Sequence, residues 1–178
     1  MHLRLTTLIL ATPLLLATGG TAAAQQVKPT CTDDSRDCLL TAAKSYLHAI
    51  VTHDGSKALL DPYVRRTVQA AEPVVGEDAM RKSMNREPDM LGDRNTRYYI
   101  DEAQQTVIFF TLLPTKGVNV DSKRETYDMN GKDATIHLAE RIKVERGLIT
   151  EIEAILYKEI GRVDGTSGWS NGNQLTVP

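Results

Sequence analysis

The stretch Thr135-Ile-His-Leu-Ala-Glu-Arg-Ile-Lys-Val144 carries the clearest strand signal in this chain. Successive residues of a β-strand point to opposite faces of the sheet, so alternate residues share a face. One face is apolar with a single exception, and it consists of Ile136, Leu138, Glu140, Ile142 and Val144. The opposite face carries Thr, His, Ala, Arg and Lys, which is typical of contact with water. The sequence therefore predicts a strand that packs on the core and points one carboxyl group inward.

Glu140 is the first candidate for acid/base catalysis. A buried carboxylate is strongly unfavourable unless it is paired, hydrogen-bonded or protonated, and proteins retain such groups mostly at functional sites. Desolvation raises the pKa of a carboxyl group toward neutrality, where the group can both accept and donate a proton. Two structural interpretations stay open: an ion pair with an inward arginine, and a strand edge wet enough to hydrate the carboxylate.

The N-terminus has the features of an export signal. Arg4 precedes an apolar run from Leu8 to Leu16, and Ala22-Ala-Ala24 supplies small residues before Gln25. We expect residues 1–24 to be removed, which leaves a periplasmic or secreted chain of about 154 residues. The apolar run is too short to cross a membrane as a helix, and no later stretch approaches the required length of about 18 residues. We therefore expect no membrane association once the signal is removed.

The charge distribution argues against nucleic acid as a partner. Without Arg4, 20 basic residues face 23 acidic ones, and the net charge is −3. The basic residues are interleaved with acidic ones and form no stripe, so neither nucleic acid nor an anionic membrane surface is an expected partner. The partners we expect are a small apolar or aromatic molecule and a second copy of the chain, as a homodimer.

Cys31 and Cys38 are the two cysteines of the chain, and six residues separate them. In an oxidising compartment, such a pair predicts a disulfide that ties the N-terminal segment to the start of the first helix. Closing so short a loop contributes roughly 2–3 kcal/mol in the chain-entropy model. No His or second Cys pair lies at ligand spacing, so we expect no metal site.

The first half of the chain predicts two helices. Apolar residues recur at helical spacing from Asp37 to Thr52, with Tyr46 on the same side, at Leu40, Ala43, Leu47 and Ile50. His53-Asp-Gly55 should end this helix, with Gly55 as the left-handed cap. A short helical turn at 56–60 and a strand at 63–69 follow, and a second helix runs from Gly76 to about Met84.

The second half predicts β-structure. We expect strands at 96–100, 106–113 and 124–129, a long strand ending near 144, and a last strand at 148–157. Strand 106–113 is apolar on both faces and should be covered on both. Asn130-Gly131 predicts one hairpin turn, and Glu145-Arg-Gly147 predicts another with three residues. The order of elements predicts one α+β domain, residues 25–160, whose helices pack on one face of a curved sheet. Residues 161–178 read as an irregular tail.

Three segments resemble the NTF2-like superfamily, and within it the SnoaL-like group. They are the helix Ala43-Lys-Ser-Tyr-Leu-His-Ala-Ile50 with its end at His53-Asp-Gly55, the turn into Leu60-Asp-Pro-Tyr-Val-Arg65, and the closing hairpin from Ala139 to Ala154. The resemblance covers about residues 38–157 and implies a cone, in which a curved mixed or antiparallel sheet wraps around the long first helix and leaves an apolar pocket. It also implies cofactor-free chemistry, in which a buried carboxylate or His moves a proton while Tyr, Asn or Arg hydrogen-bonds the developing oxyanion.

Three further residues are candidates for this chemistry. Tyr46 lies on the core-facing stripe of the first helix, and its hydroxyl could donate a hydrogen bond inside the cone, although an ordinary core aromatic with its tip at water is the more common arrangement. His53 lies on the same side, seven residues later, and suits proton transfer or a favourable interaction with the helix dipole. Arg66 alternates with Val64 and Val68, so it should point inward and either pair with Glu140 or bind a substrate oxygen.

Aromatic residues are the candidates for substrate binding. Tyr98 and Tyr99 fall on opposite faces of one strand, so only one can line the cone, and Phe109 and Phe110 pose the same choice. We take Tyr98, Tyr99 and Phe110 as candidates, with Trp169 of the tail as a lid over the pocket.

Together with the export signal and these residues, the resemblance implies an exported, cofactor-independent lyase or isomerase that acts by proton transfer on a small apolar, aromatic-type alcohol or ketone. Deformylation of a lignin-type diarylpropane is one reaction that such a site would suit. The alternatives are a non-catalytic module for small-molecule binding or dimerisation, and a structural protein with a filled cone. Fold alone does not choose among them.

Overall fold

A computed structural model describes residues 28–69, 71–118 and 132–161, which form two helices, a short 3₁₀ turn and seven strands. The helices are α1 (Arg36–Thr52) and α2 (Glu77–Met84), and the 3₁₀ turn is Gly55–Lys57. The strands are β1 (Leu60–Val68), β2 (Val74–Val75), β3 (Asp89–Met90), β4 (Arg94–Asp101), β5 (Thr106–Val118), β6 (Lys132–Glu145) and β7 (Leu148–Ile160). No helix within the described part of the chain is long and apolar enough to cross a membrane.

The seven strands form one mixed sheet. Its order is β2-β1-β7-β6-β5-β3, and β4 also pairs with β5. The pairing of β1 with β7 is parallel, and the other pairings are antiparallel. Register shifts interrupt several ladders, among them those between β4 and β5 and between β6 and β7. Such irregularities increase the local twist and bend the sheet, so the prediction of a curved α+β architecture is confirmed.

Helix α1 fills the concave side of this sheet. The Ser35 side chain accepts a hydrogen bond from the backbone N–H of Cys38 and caps the first turn. The buried stripe consists of Cys38, Leu39, Ala42, Ala43, Tyr46, Leu47, Ala49 and Ile50. Leu39 belongs to the core, whereas the predicted Leu40 is only half-buried. Three alanines in the stripe let the helix backbone approach the strands closely, so the core is compact around Tyr46.

The end of α1 differs from the prediction. His53 occupies the left-handed position with φ 53°, and its N–H reaches the carbonyl groups of Ala49 and Ile50. Gly55 is required for another reason, since a Cβ there would lie 2.7 Å from the carbonyl oxygen of Arg81 in α2. The glycine therefore permits the close approach of α2 and does not cap the helix.

The turn between β6 and β7 is tighter than predicted. Glu145 pairs directly with Leu148, so the connection has two residues instead of three. Arg146 and Gly147 both have positive φ, 51° and 75°, which is the geometry of a turn whose twist matches that of the strands. The predicted turn at Asn130-Gly131, residues 1–24 and the tail beyond residue 161 lie outside the described residues.

The prediction that both faces of β5 are covered is wrong at one end. Ile108 is 39% exposed on the convex face of the sheet, close to Tyr99, which is 55% exposed. The described helices pack on the concave face, so this part of the convex face has no helix over it.

The N-terminal segment is tied to two hairpin turns of the sheet. The predicted disulfide between Cys31 and Cys38 is present, with a Cα–Cα distance of 5.6 Å. Asp34 Oδ1 accepts a hydrogen bond from the Arg146 N–H at 2.6 Å, and Asp34 Oδ2 accepts one from Gln105 Nε2 at 3.0 Å. The segment therefore joins the β4–β5 turn to the β6–β7 turn, and Gly147 packs directly beneath it.

Replacement of Gly147 by Ala should destabilise the protein strongly. The left-handed φ of Gly147 alone costs an alanine about 1–2 kcal/mol, and the new Cβ would also overlap the carbonyl oxygen of Cys31. The matched control is Gly161→Ala, where φ is also positive at 82° but no atom of the described residues lies within 4 Å of the new Cβ. Denaturant unfolding should show the larger loss for Gly147→Ala, and equal losses would contradict the packing argument.

Candidate functional site

Glu140 points into the core, as the alternation in β6 predicts. Glu140 is 1% exposed, and it lies directly opposite Phe109 of β5 and Ala154 of β7. Across the sheet, the same inward row continues to Tyr98 of β4 and Val68 of β1. The neighbours of Glu140 in this row are therefore apolar or aromatic, and its polar contacts come from Tyr46 on α1 and from Arg66 elsewhere on β1.

Tyr46 supplies the first of these contacts. Its side chain is fully buried at the middle of α1, and its hydroxyl donates a hydrogen bond to Glu140 Oε1 at 3.0 Å. The position of the helix in the sheet places this hydroxyl over β6. Tyr46 is thus more than a core aromatic, because its polar end has a specific buried partner.

Arg66 supplies the second contact, and it is shared between two carboxyl groups. Its Nη1 donates to Glu87 Oε1 at 3.1 Å, whereas its Nη2 lies 3.7 Å from Glu140 Oε1. The shorter distance is a hydrogen bond and the longer one is only an ion pair. The exposed fraction of the side chain rises along this series, from 0% for Glu140 to 8% for Arg66 and 22% for Glu87. The network therefore runs from the core toward the surface through the guanidinium group.

Glu87 is a member of this site that the sequence did not reveal. It lies in the irregular segment 85–88 between α2 and β3, where no periodicity indicates the direction of a side chain. Contacts with the end of α1 fix this segment, since Asn85 Oδ1 accepts the Gly55 N–H at 2.8 Å and His53 Nε2 lies 2.8 Å from the Pro88 carbonyl oxygen. A buried arginine needs an acidic partner, and that need was the only signal in the sequence that could have pointed to Glu87.

His53 contacts the segment that carries Glu87 but makes no direct contact with Glu140, Tyr46 or Arg66 among the described residues. Its Nε2 contacts the Pro88 carbonyl, and its Nδ1 lies 3.9 Å from Asp89 Oδ1. Within the described part of the chain, no hydrogen bond or ion pair joins His53 to Glu140, Tyr46 or Arg66. His53 therefore acts on the segment that carries Glu87, and the predicted catalytic role gains no geometric support.

The aromatic candidates divide between the two faces of the sheet. Tyr98 points inward, is half-buried, and packs on Phe109 with 5.8 Å between ring centroids. Tyr99 and Phe110 pair on the convex face, with centroids 5.9 Å apart, so the geometry does not support them as substrate-binding residues inside the cone. Phe109 takes the inward place instead of Phe110, because β6 pairing puts Phe109 beside Glu140. Trp169 lies outside the described residues.

The buried cluster has a mismatch in charge. One guanidinium faces two carboxyl groups, and burial raises the pKa of Glu140 to about 7 even though Arg66 and the Tyr46 hydrogen bond oppose the rise and Glu87 adds to it. Burial also raises the pKa of Tyr46 well above its ordinary value, so its hydroxyl keeps its proton. Burial disfavours the charge on Arg66, but Tyr46, Glu140 and Glu87 raise its pKa overall, and it stays charged. Glu140 is thus the group of this cluster that titrates near neutral pH.

Two buried atoms of the cluster have no hydrogen-bond partner in the described structure. They are the Nε of Arg66, which is a donor, and the Oε2 of Glu140, which is an acceptor when ionised. Buried polar atoms are nearly always paired, so each of these two atoms needs a partner, such as an ordered water or a ligand group.

Other candidate sites are less well formed. A groove of about 500 Å³ beside the start of α2 is lined by Pro62, Val75, Gly76, Glu77, Asp78, Ala79 and Lys82, none of which belongs to the cluster. Cys31, Asp33 and Cys38 bring three potential metal-ligating atoms together, but the two sulfur atoms are bonded to each other and are not thiolate ligands.

Comparison with known proteins agrees with the fold. A family model described as "Domain of unknown function (DUF8021)" matches residues 32–156. No curated protein matches the sequence significantly. Among solved structures, the chain is similar to SalBIII, an epoxide hydrolase/cyclase-like enzyme in pyran ring formation in polyether salinomycin, with a TM-score of 0.58, 8% identity, and coverage of 71% of this chain and 98% of that one.

Two further structures give the same result. One is a Bacillus subtilis protein described as a candidate isomerase, with a TM-score of 0.56, 11% identity, and coverage of 68% of this chain and 87% of that one. The other is an NTF2-like protein from Burkholderia xenovorans LB400, with a TM-score of 0.51, 11% identity, and coverage of 69% and 92%. At such low identity the likeness shows the fold alone, and the predicted NTF2-like cone is confirmed.

The pKa of Glu140 should respond to its two partners in opposite directions. Glu87→Gln removes a negative charge that disfavours ionisation of Glu140, so this variant should lower the pKa of Glu140. Tyr46→Phe removes a hydrogen bond to the carboxylate, so this variant should raise the pKa of Glu140. The carboxyl carbon of Glu140, followed by NMR across a pH titration, measures both shifts. Glu145→Gln is the control, since Glu145 is exposed on the same strand. Shifts of the same sign in both variants would contradict the arrangement.

Stability should depend on pH through Glu140. Its pKa is about 7 in the folded chain against an ordinary value of 4.5, so the folded state holds the proton more tightly than the unfolded state. The contribution of Glu140 to the free energy of unfolding is therefore greatest below about pH 4.5. This contribution, up to about 3 kcal/mol, is lost as the pH rises through 7. Denaturant unfolding of the wild type and Glu140→Gln across this range should show the loss only in the wild type. Parallel profiles would show that Glu140 titrates normally.

Proposed function

This chain belongs to the DUF8021 family, and we propose that it is an exported, cofactor-independent lyase or isomerase in which Glu140 transfers a proton of a small apolar alcohol or ketone. The observation that carries the proposal is the Glu140 carboxyl group, which is fully buried, has a pKa of about 7, and has one oxygen without a partner in the part of the chain that the structure describes. A general acid/base works best when its pKa lies near the working pH. The disulfide supports export, since such bonds persist in oxidising compartments.

Tyr46 and Arg66 have separate roles in this proposal. Tyr46 holds Glu140 Oε1 by a hydrogen bond, which directs the free Oε2 to the substrate proton. Arg66 keeps a positive charge beside the same carboxyl group and has an unused N–H donor. A fixed donor of this kind stabilises the negative charge that develops on a substrate oxygen, and it does so more strongly in a site from which water is excluded.

The substrate should reach the site from the side of Arg66 and Glu87. These residues carry the more exposed end of the network, whereas Glu140 is enclosed by α1 and the inner face of the sheet. The inward neighbours of Glu140 are apolar or aromatic, among them Phe109 and Tyr98. A substrate with an aromatic ring would bury that ring against them, which favours apolar aromatic compounds over sugars or charged metabolites.

Deformylation of a diarylpropane diol is the specific reaction that we propose. Glu140 takes the proton of the terminal hydroxyl, the bond between the hydroxymethyl carbon and its neighbour breaks, and formaldehyde leaves. The electrons of that bond form the stilbene double bond while hydroxide leaves the adjacent benzylic carbon. The proton held by Glu140 passes to this hydroxide, so one diol gives one stilbene, one formaldehyde and one water. Neither an oxidant nor a cofactor takes part in this reaction.

Incubation of the purified protein with a diarylpropane diol tests the proposal. Stilbene absorbance and a formaldehyde assay should rise together, and Glu140→Gln should lower the rate by about 10²-fold or more, since general acid/base catalysis contributes that much. Glu145→Gln, the same substitution at an exposed position of β6, should keep the wild-type rate. No product at high protein concentration excludes this substrate class, and full activity in Glu140→Gln excludes the catalytic role.

A binding module is the second candidate function. The complete enclosure of Glu140 favours it, because a closed site suits a ligand that is held and not turned over. If the protein is a binding module, it should bind an aromatic compound saturably and form no product. Glu140→Gln and Glu145→Gln should then bind that compound as the wild type does.

A further inference from the structure

Arg66 and Glu140 each have a buried polar atom that lacks a hydrogen-bond partner among the described residues, and the two atoms differ in chemical character. Arg66 Nε carries a hydrogen that it can only donate, and ionised Glu140 Oε2 can only accept. The two side chains are already neighbours, since Arg66 Nη2 lies 3.7 Å from Glu140 Oε1. Both are more than nine-tenths buried, at 8% and 0% exposure, so bulk water does not satisfy them.

A ligand that fits this pair must accept from one atom and donate to the other. A hydroxyl group does both through a single oxygen, whereas a carbonyl or ether oxygen only accepts and an ammonium group only donates. A carboxylate also only accepts, and the cluster already holds two carboxyl groups against one guanidinium, so a further negative charge would be repelled.

We propose that this site binds the hydroxyl group of a neutral apolar alcohol between Arg66 Nε and Glu140 Oε2, and that it selects alcohols against the corresponding ketones. This inference rests on the proposed function for its catalytic meaning, and it narrows the substrate class from alcohols and ketones to alcohols. Apolar selectivity follows from the inward row around Glu140, which contains Phe109, Ala154 and Tyr98.

The selectivity should depend on the protonation of Glu140. The ionised Oε2 accepts from an alcohol, but a protonated carboxyl group, whose Oε1 receives the Tyr46 hydrogen bond, donates from Oε2 and suits a ketone as well. The charged and titratable groups that face Glu140 are Tyr46 on α1, Arg66 on β1 and Glu87 on the segment after α2. Tyr46 and Arg66 keep their protons across the neutral range, so a change of selectivity near neutral pH reports on Glu140.

A matched pair of probes tests the inference. The probes 1-phenylethanol and acetophenone share their heavy-atom skeleton and differ in a hydroxyl against a carbonyl group. NMR titration of the wild type at about pH 9, well above the pKa of Glu140, should show the alcohol binding about tenfold more tightly, since a ketone leaves a buried acceptor unpaired. The preference should fall at about pH 5.

Glu140→Gln converts the acceptor into an amide that can donate, so at about pH 9 it should lose or reverse the preference for 1-phenylethanol. Glu145→Gln should keep it. If Glu140→Gln fails to fold, the pH series in the wild type still decides. Equal affinity for the two probes, a preference that ignores pH, or binding of neither probe overturns the inference.

The outcomes separate the inference from the proposed function. Selective alcohol binding without turnover of any alcohol supports the inference and contradicts the enzyme. Proton transfer on acetophenone or another ketone, with no preference for alcohols, supports the enzyme and contradicts the inference.

Discussion

The hydrogen bond between the Tyr46 hydroxyl and Glu140 joins the helix to the sheet at the centre of the core. A carboxyl group at this position would be very unfavourable without it, and a tyrosine hydroxyl at the middle of a buried helix would be unfavourable without the carboxyl group. Each residue thus satisfies the other across elements that are far apart in sequence. The register of β6 and the rotation of α1 must both be correct for the contact to form, so the pair specifies how the cone closes around its helix.

Arg66 is shared between this pair and a second carboxyl group. A guanidinium devoted to one carboxylate would form two parallel hydrogen bonds and keep that carboxylate ionised. Here Glu87 takes the hydrogen bond, and Glu140 is left at 3.7 Å with a pKa near 7. Burial therefore raises the pKa of Glu140, and the shared cation offsets that rise only in part. Because Glu87 adds to the rise, the segment that positions Glu87 becomes part of the site.

The sequence predicted the fold and the centre of the site, because both follow from regular periodicity. Two-residue alternation placed Glu140 and Arg66 inward, and helical spacing placed Tyr46 on the buried stripe. The choice between Tyr98 and Tyr99 could not be made, because both faces of that strand carry aromatic residues and pairing with β5 fixes its phase. Glu87 was missed because its segment is irregular and is positioned by contacts with the distant residues Gly55 and His53.

The covalent link at the start of the domain has a consequence for how the chain matures. Cys31 and Cys38 are the only cysteines in the sequence, and they close a loop that precedes all seven described strands. Oxidation can therefore produce a single intramolecular isomer, and it requires neither the later strands nor a disulfide isomerase to correct it. The cross-linked segment then presents Asp34 to the N–H of Arg146, so the β6–β7 turn has a fixed acceptor when the sheet assembles.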